Sequence, residues 1–200
     1  VWIGLIEDPA FWNAVNKQSP ALSRDYLKKL YQRSIVNATE LRPLLQKHRS
    51  FKGWYIPQEI DDLNWRKPET QQVLFEYLNN LSSFLNTLSP QTPIALSGFA
   101  NTGTDPKFLE SFWSDLLKSS PHIDQVLFQD GIGVAKLTLE NITPYLRAIQ
   151  AATYKHNREF YTVIEVFTQT QGHPINKQPF QATPAPLERI IIFKFFFRRR

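Results

Sequence analysis

Apolar positions along this chain alternate between two rhythms. Short runs of near-continuous apolar residues at 1–6, 51–56, 93–99, 123–128 and 160–167 have the length and composition of buried strands. Between them lie longer stretches in which apolar residues recur every three or four positions. Val73, Leu74, Tyr77, Leu78, Leu81, Phe84, Leu85 and Leu88 form one such stripe, and Phe108, Leu109, Phe112, Trp113, Leu116 and Leu117 form another. Ser19-Pro20, Pro68-Glu69 and Asp105-Pro106 are helix-start signals. The segment 21–47 reads as one broken helix or two, with Thr39 as a second cap ahead of Pro43. A further helix is expected from Thr138 to about Asn157. Phe11 and Trp12 read as loop, 168–186 as a polar, proline-bearing stretch, and 185–188 as one more helix start.

Strand and helix therefore alternate five times. Such alternation argues for parallel strands joined by right-handed helical crossovers, and strands without polar alternation should be covered by helices. A doubly wound sheet and a (β/α)8 barrel both fit. The barrel is favoured because no strand leads into a phosphate-binding loop: Gly131-Ile132-Gly133 lacks the third glycine and the lysine-serine ending. Almost every strand also exits on polar residues: Glu7 and Asp8, Glu59, Asn101, Gln129 and Asp130, and Glu165. Polar groups gathered at the C-terminal ends of several strands are the barrel arrangement. The expected fold is a partial TIM barrel of about five βα units.

The stretch 51–65 concentrates the candidate chemistry. Pro57 cannot donate to a sheet ladder, so the strand is expected to stop there and to release Glu59, Asp61 and Asp62 onto a loop flanked by Trp54, Tyr55 and Trp65. Carboxylates beside aromatic faces suit carbohydrate: acids for bond cleavage, flat rings for stacking. The competing reading makes the acids helix caps and the rings core. Glu165, between Ile164 and Val166, is costly to bury unless paired or used. Asp130 serves either a sugar hydroxyl or an Asp-Gly turn.

Composition narrows the classes. The net charge is +5, but Lys194 and Arg198–Arg200 supply four of those charges, so residues 1–193 carry no basic face for nucleic acid. Residues 190–197 are apolar with an internal lysine and too short to span a bilayer; the basic end is the one feature that could touch a membrane. The expected division is a barrel domain over 1–189 and a tail over 190–200 foreign to that fold. The absence of cysteine excludes disulfides and thiolate metal sites. His48, His122, His156 and His173 show no ligand spacing, so neither metal nor cofactor is expected. Ser97-Gly98 lacks the preceding glycine of a nucleophile elbow. The chain opens on a strand already under way and reads as a piece of a longer protein.

The segments 53–62, 95–97, 128–134 and 161–167 resemble a bacterial family of uncharacterised barrels, a domain of unknown function in the glycosyl-hydrolase barrel clan. That resemblance implies a TIM barrel, a carbohydrate partner and a secreted or periplasmic setting. If the first strand here is the third of the barrel, Glu59 ends strand four and Glu165 ends strand seven. In the large retaining clan those positions hold the acid/base and the nucleophile. Retaining chemistry requires carboxyls about 5–5.5 Å apart. The resemblance thus implies a glycosidase working through Glu59 and Glu165, with Trp54, Tyr55, Asp61, Asp62, Trp65, Asn101, Gln129 and Asp130 as substrate contacts. The alternatives are a carbohydrate-binding barrel without catalysis and an inactive fragment.

Overall fold

Five strands pair side by side in chain order, β1-β2-β3-β4-β5, every neighbouring pair parallel. This computed structural model describes residues 1–16, 19–173 and 175–189. The strands are β1 (Trp2–Gly4), β2 (Gly53–Ile60), β3 (Ile94–Gly98), β4 (Gln125–Gln129) and β5 (Glu159–Val163). Between them run α1 (Phe11–Val15), α2 (Pro20–Leu45), α3 (Pro68–Leu88), α4 (Pro106–Ser119) and α5 (Ile142–Lys155). A separate antiparallel hairpin, β6 (Phe167–Gln171) with β7 (Gln181–Pro184), follows the sheet. The architecture is that of a partial α/β barrel. The tail expected at 190–200 lies outside the described residues.

The helices form because each presents an apolar stripe to one face of the sheet. Proline occupies the start of α2, α3 and α4, where its missing N–H is not needed. Asp105 caps α4 by accepting a hydrogen bond from Lys107 N. Leu78, Leu81 and Leu85 of α3, Leu109 and Leu116 of α4 and Leu146 and Ile149 of α5 are all fully buried. They meet Ile56, Leu96, Val126 and Phe128 of the strands in one core. Tightness of that core shows at Gly98. A Cβ there would fall 2.4 Å from Ile60 O and 2.5 Å from the Trp113 ring, so α4 lies against β3 only because Gly98 has no side chain.

Side-chain alternation fixes which strand residues look away from the helices. Gln58 meets Tyr77 of α3, and Gly98 and Phe128 meet Trp113 of α4, so these point outward. Their alternates, Tyr55, Pro57, Glu59, Ser97, Leu127, Gln129, Tyr161 and Val163, line the opposite, concave face. The Tyr55 hydroxyl hydrogen-bonds Ser97 Oγ across that face at 2.7 Å. On β5 the concave face is open, with Tyr161 45% and Val163 40% exposed.

Four expectations are corrected. Pro57 does not end its strand: β2 runs on to Ile60, and the pairing with β3 skips register between Ile56 and Ile60, so the missing N–H falls where the ladder is already interrupted. Phe11 and Trp12 belong to the short helix α1 rather than to loop. The segment 21–47 is one helix, α2, with Pro43 in its last turn; Thr39 is no cap but donates its hydroxyl to Ile35 O. The last apolar run breaks at Val163, leaving Glu165 between β5 and the hairpin, and 168–186 contributes two strands.

Candidate functional site

The C-terminal ends of β1 to β5 bring Glu7, Glu59, Asp61, Asp62, Asn101, Gln129, Asp130 and Glu165 to one rim of the sheet. The parallel register makes this inevitable once each polar pair follows its own strand. Within that rim the side chains have different jobs, and hydrogen bonding separates them.

Asp61 is consumed locally. Its Oδ1 accepts from Leu63 N at 2.8 Å and Asn64 N at 2.9 Å, and its Oδ2 accepts from the Asn64 side-chain amide at 2.8 Å. It shapes the turn toward α3 and is 2% exposed. Asp62, with no exposed surface, accepts from Asn101 N and Asn101 Nδ2 at 2.9 Å each and from the Thr104 hydroxyl. It ties the exit of β2 to the exit of β3 and occupies Asn101 in doing so. Asp130, also fully covered, accepts from Ile132 N at 3.1 Å and Glu165 N at 3.3 Å, joining the exits of β4 and β5. Burial pushes the Asp130 carboxyl above the usual range despite those bonds. Asp61, Asp62, Asn101 and Asp130 thus form the rim's framework, with Asn101 alone among them partly exposed.

Trp54 and Trp65 lie inside the core. They are 0% and 1% exposed, and their indole nitrogens are buried without a hydrogen-bond partner among the described residues. Trp54 packs edge-on against Phe51. Both rings are core, and neither presents a face to a ligand.

Glu59, Gln129 and Tyr55 remain at the surface of the concave face. Gln129 donates its side-chain amide to Glu59 Oε1 from two strands away. Glu59 and Tyr55 line a cleft of about 260 Å³ whose other walls are Glu7, Asp8, Pro9, Phe11, Trp12, Pro57 and Gln58. Asp8 in its wall is held by Ala10 N at 2.9 Å and Arg33 at 2.6 Å. Those two contacts keep its carboxyl below the usual range.

Glu165 sits deeper. It is 8% exposed, and its Oε2 accepts from Val134 N at 3.0 Å. Gly133 lies so close beneath it that a Cβ would be 2.7 Å from that oxygen. Burial, then the neighbouring Asp130 charge, raise the Glu165 carboxyl above its usual range.

Two residues at this rim carried no functional reading in the sequence. Lys136, on the loop after β4, places Nζ 3.2 Å from the Phe99 ring centroid. The charges of Asp61, Glu59, Asp62 and Glu165 all act on it, yet burial outweighs them and lowers its pKa. The preceding residue, Ala135, holds φ at 56°, a conformation that aims this loop and is uncommon outside glycine. Trp12 is the second, partly exposed in the cleft wall.

A family model described as a domain of unknown function, DUF4434, matches residues 1–197. The chain belongs to that family. DUF4434 membership is accompanied by 33% identity over 179 residues to the uncharacterised Escherichia coli K-12 protein YbcH, covering 88% of this chain and 57% of that protein. The fold is similar to the crystal structure of a candidate alpha-L-fucosidase from Bacteroides thetaiotaomicron, with a TM-score of 0.67 and 14% identity over 96% of this chain and 54% of that one. At that identity the likeness is one of fold: an α/β barrel, matched by the five parallel strands of this DUF4434 chain. The chain spans a little over half the length of both relatives. Among the described residues no helix is long and apolar enough to cross a membrane.

The sequence signal for Trp12 was its place five residues after the first acidic strand exit, where barrel loops carry function. For Lys136 the only signal was a cation seven residues beyond Gln129, inside the loop following β4.

Proposed function

We propose that this chain carries the carboxylate pair of a glycoside hydrolase, acting on an oligosaccharide or polysaccharide through Glu59 and Glu165. The observation that carries the reading is Glu59: the carboxylate of β2 that no backbone group occupies, oriented by Gln129 and open to the cleft beside Tyr55 and Trp12. The aspartates beside it on the rim are engaged in structure, and we read Glu59 as the accessible nucleophile and Glu165 as the covered acid.

Environment supports this division of labour, the reverse of the one inferred from strand position. A buried carboxyl with a raised pKa suits the acid that protonates a leaving oxygen, whereas a hydrogen-bonded, partly solvated one suits the ionised partner. In the first step a Glu59 oxygen bonds to the anomeric carbon as the glycosidic bond breaks. The departing oxygen keeps the electron pair and takes the Glu165 proton. In the second step Glu165 removes a proton from water, the hydroxyl adds to the anomeric carbon, and the bond to Glu59 breaks.

A second reading, a carbohydrate-binding barrel without hydrolysis, draws on the bond from Val134 N to Glu165 Oε2, which already employs half of that carboxylate. Activated 2-deoxy-2-fluoro aryl glycosides, applied as a panel and followed by peptide mass analysis, separate these readings. A glycosyl adduct on the Glu59 peptide is expected. An adduct on Glu165 would reverse the roles, and no adduct with any donor while oligosaccharides still bind would favour the binding module.

A further inference from the structure

We infer that the cleft between α1 and β2 is a sugar subsite built on Trp12, and that it selects neutral or amino-substituted pyranoses against uronic acids. This rests on the carbohydrate reading above and names the class of sugar within it. Three observations converge on the cleft.

The first is the aromatic wall. Trp12 is held edge-on by Phe11, with ring centroids 5.1 Å apart, and tilted against Phe99 at 5.9 Å. Neighbours on two sides fix the indole while it keeps exposed surface in the cleft. A ring pre-set in this way loses little rotamer freedom when a pyranose stacks its C–H face upon it. Trp54 and Trp65, sealed in the core, have no such surface.

Size comes second. About 260 Å³ accommodates a single pyranose ring and little more, and Glu59 lines the same space. The ring stacked on Trp12 is therefore one adjoining the bond to be cleaved.

Charge is the third and sets the selectivity. The cleft's charged side chains, Glu7, Asp8 and Glu59, are all acids, and Tyr55 adds a neutral phenol. Arg33, outside the lining, is engaged with Asp8, and Lys136 stands over Phe99 rather than in the cleft wall. Asp8 already accepts from Ala10 N and Arg33, so Glu7 and Glu59 are the freer acceptors for sugar hydroxyl or ammonium groups. A carboxylate on the sugar would face a net excess of acids, with Arg33 already paired to Asp8 and Lys136 outside the cleft wall.

The test uses the full chain and matched methyl glycosides of the common pyranoses in neutral, 2-amino and uronic forms. Binding is read by titration calorimetry on wild type, Trp12→Ala and Trp12→Phe, each with a far-ultraviolet dichroism check that it is folded. Neutral and amino sugars should bind, uronic acids about tenfold or more weaker; Trp12→Ala should lose about tenfold in affinity and Trp12→Phe less. Uronic acids binding as tightly as their neutral counterparts would overturn the selectivity. Unchanged affinity in folded Trp12→Ala would overturn the subsite even if glycosides are hydrolysed. Binding that depends on Trp12 without hydrolysis keeps the subsite and removes the enzyme, and no binding of any sugar removes both.

Discussion

Gln129, the last residue of β4, reaches over β3 to hold the carboxylate of Glu59 near the end of β2. This bond sets the direction of a rim carboxylate that, among the described residues, no backbone group holds. Replacing Gln129 with alanine should leave the fold intact, because the side chain lies on the concave face away from the core. Catalysis should fall by about 10²-fold in kcat with KM little changed, since a misdirected reacting group costs on that scale. Steady-state kinetics on a cleaved glycoside check it; a KM effect alone would make Gln129 a binding residue.

Asp62 should matter to stability and not to substrate. Asp62→Ala would leave Asn101 N, Asn101 Nδ2 and the Thr104 hydroxyl without their acceptor in a site sealed from water. The expected loss is about 3 kcal/mol in urea unfolding. Asp61→Ala, which removes a local turn cap, should cost about 1 kcal/mol. A large fall in glycoside affinity with unaltered unfolding in either variant would return these acids to the substrate.

The pH dependence of stability has a definite sign at the β4–β5 rim. Asp130 and Glu165 hold their protons more tightly folded than at their ordinary values of 3.8 and 4.5, because burial disfavours the charged forms. Their contribution is therefore fully present below those ordinary values and is lost as pH rises through the raised ones. Glu165→Gln keeps an oxygen for Val134 N but cannot ionise. Relative to wild type, this variant should gain stability as pH climbs from about 4 to about 7, read as urea midpoints. A gap that shrinks over that range would contradict the sign.

Gly98→Ala tests the packing that carries the sheet. The added methyl would meet Ile60 O and Trp113 at less than contact distance, so a loss of about 1–3 kcal/mol in urea unfolding is expected. An unchanged midpoint would mean that α4 can shift away without cost.

The parallel order of strands was legible because each apolar run and each amphipathic helix carried its own period, and these two periods do not depend on distant contacts. The rim was legible for the same reason: polar residues directly after buried runs must emerge at one end of a parallel sheet. Division of labour among the acids was not. Asp61, Asp62 and Asp130 look alike in sequence, and only the N–H groups brought to them by other loops show which are occupied. Trp54 and Trp12 failed in opposite directions. Trp54 precedes the acidic stretch 59–62 but alternates onto the helix side of β2, whereas Trp12 reads as loop after an acidic strand exit and a five-residue helix turns it into the cleft. The β6–β7 hairpin escaped notice because Thr, Gln and Pro replace the apolar residues that mark strands.

The most direct measurement is the leaving-group dependence of kcat/KM for aryl glycosides of one cleaved sugar, in wild type, Glu59→Gln and Glu165→Gln. With Glu165 as acid and Glu59 as nucleophile, Glu165→Gln should slow poor leaving groups by about 10²–10⁴-fold and barely affect activated ones. Glu59→Gln should abolish turnover of both. Selective loss of the poor leaving groups in Glu59→Gln would exchange the two roles, and hydrolysis undiminished in both variants would contradict the account.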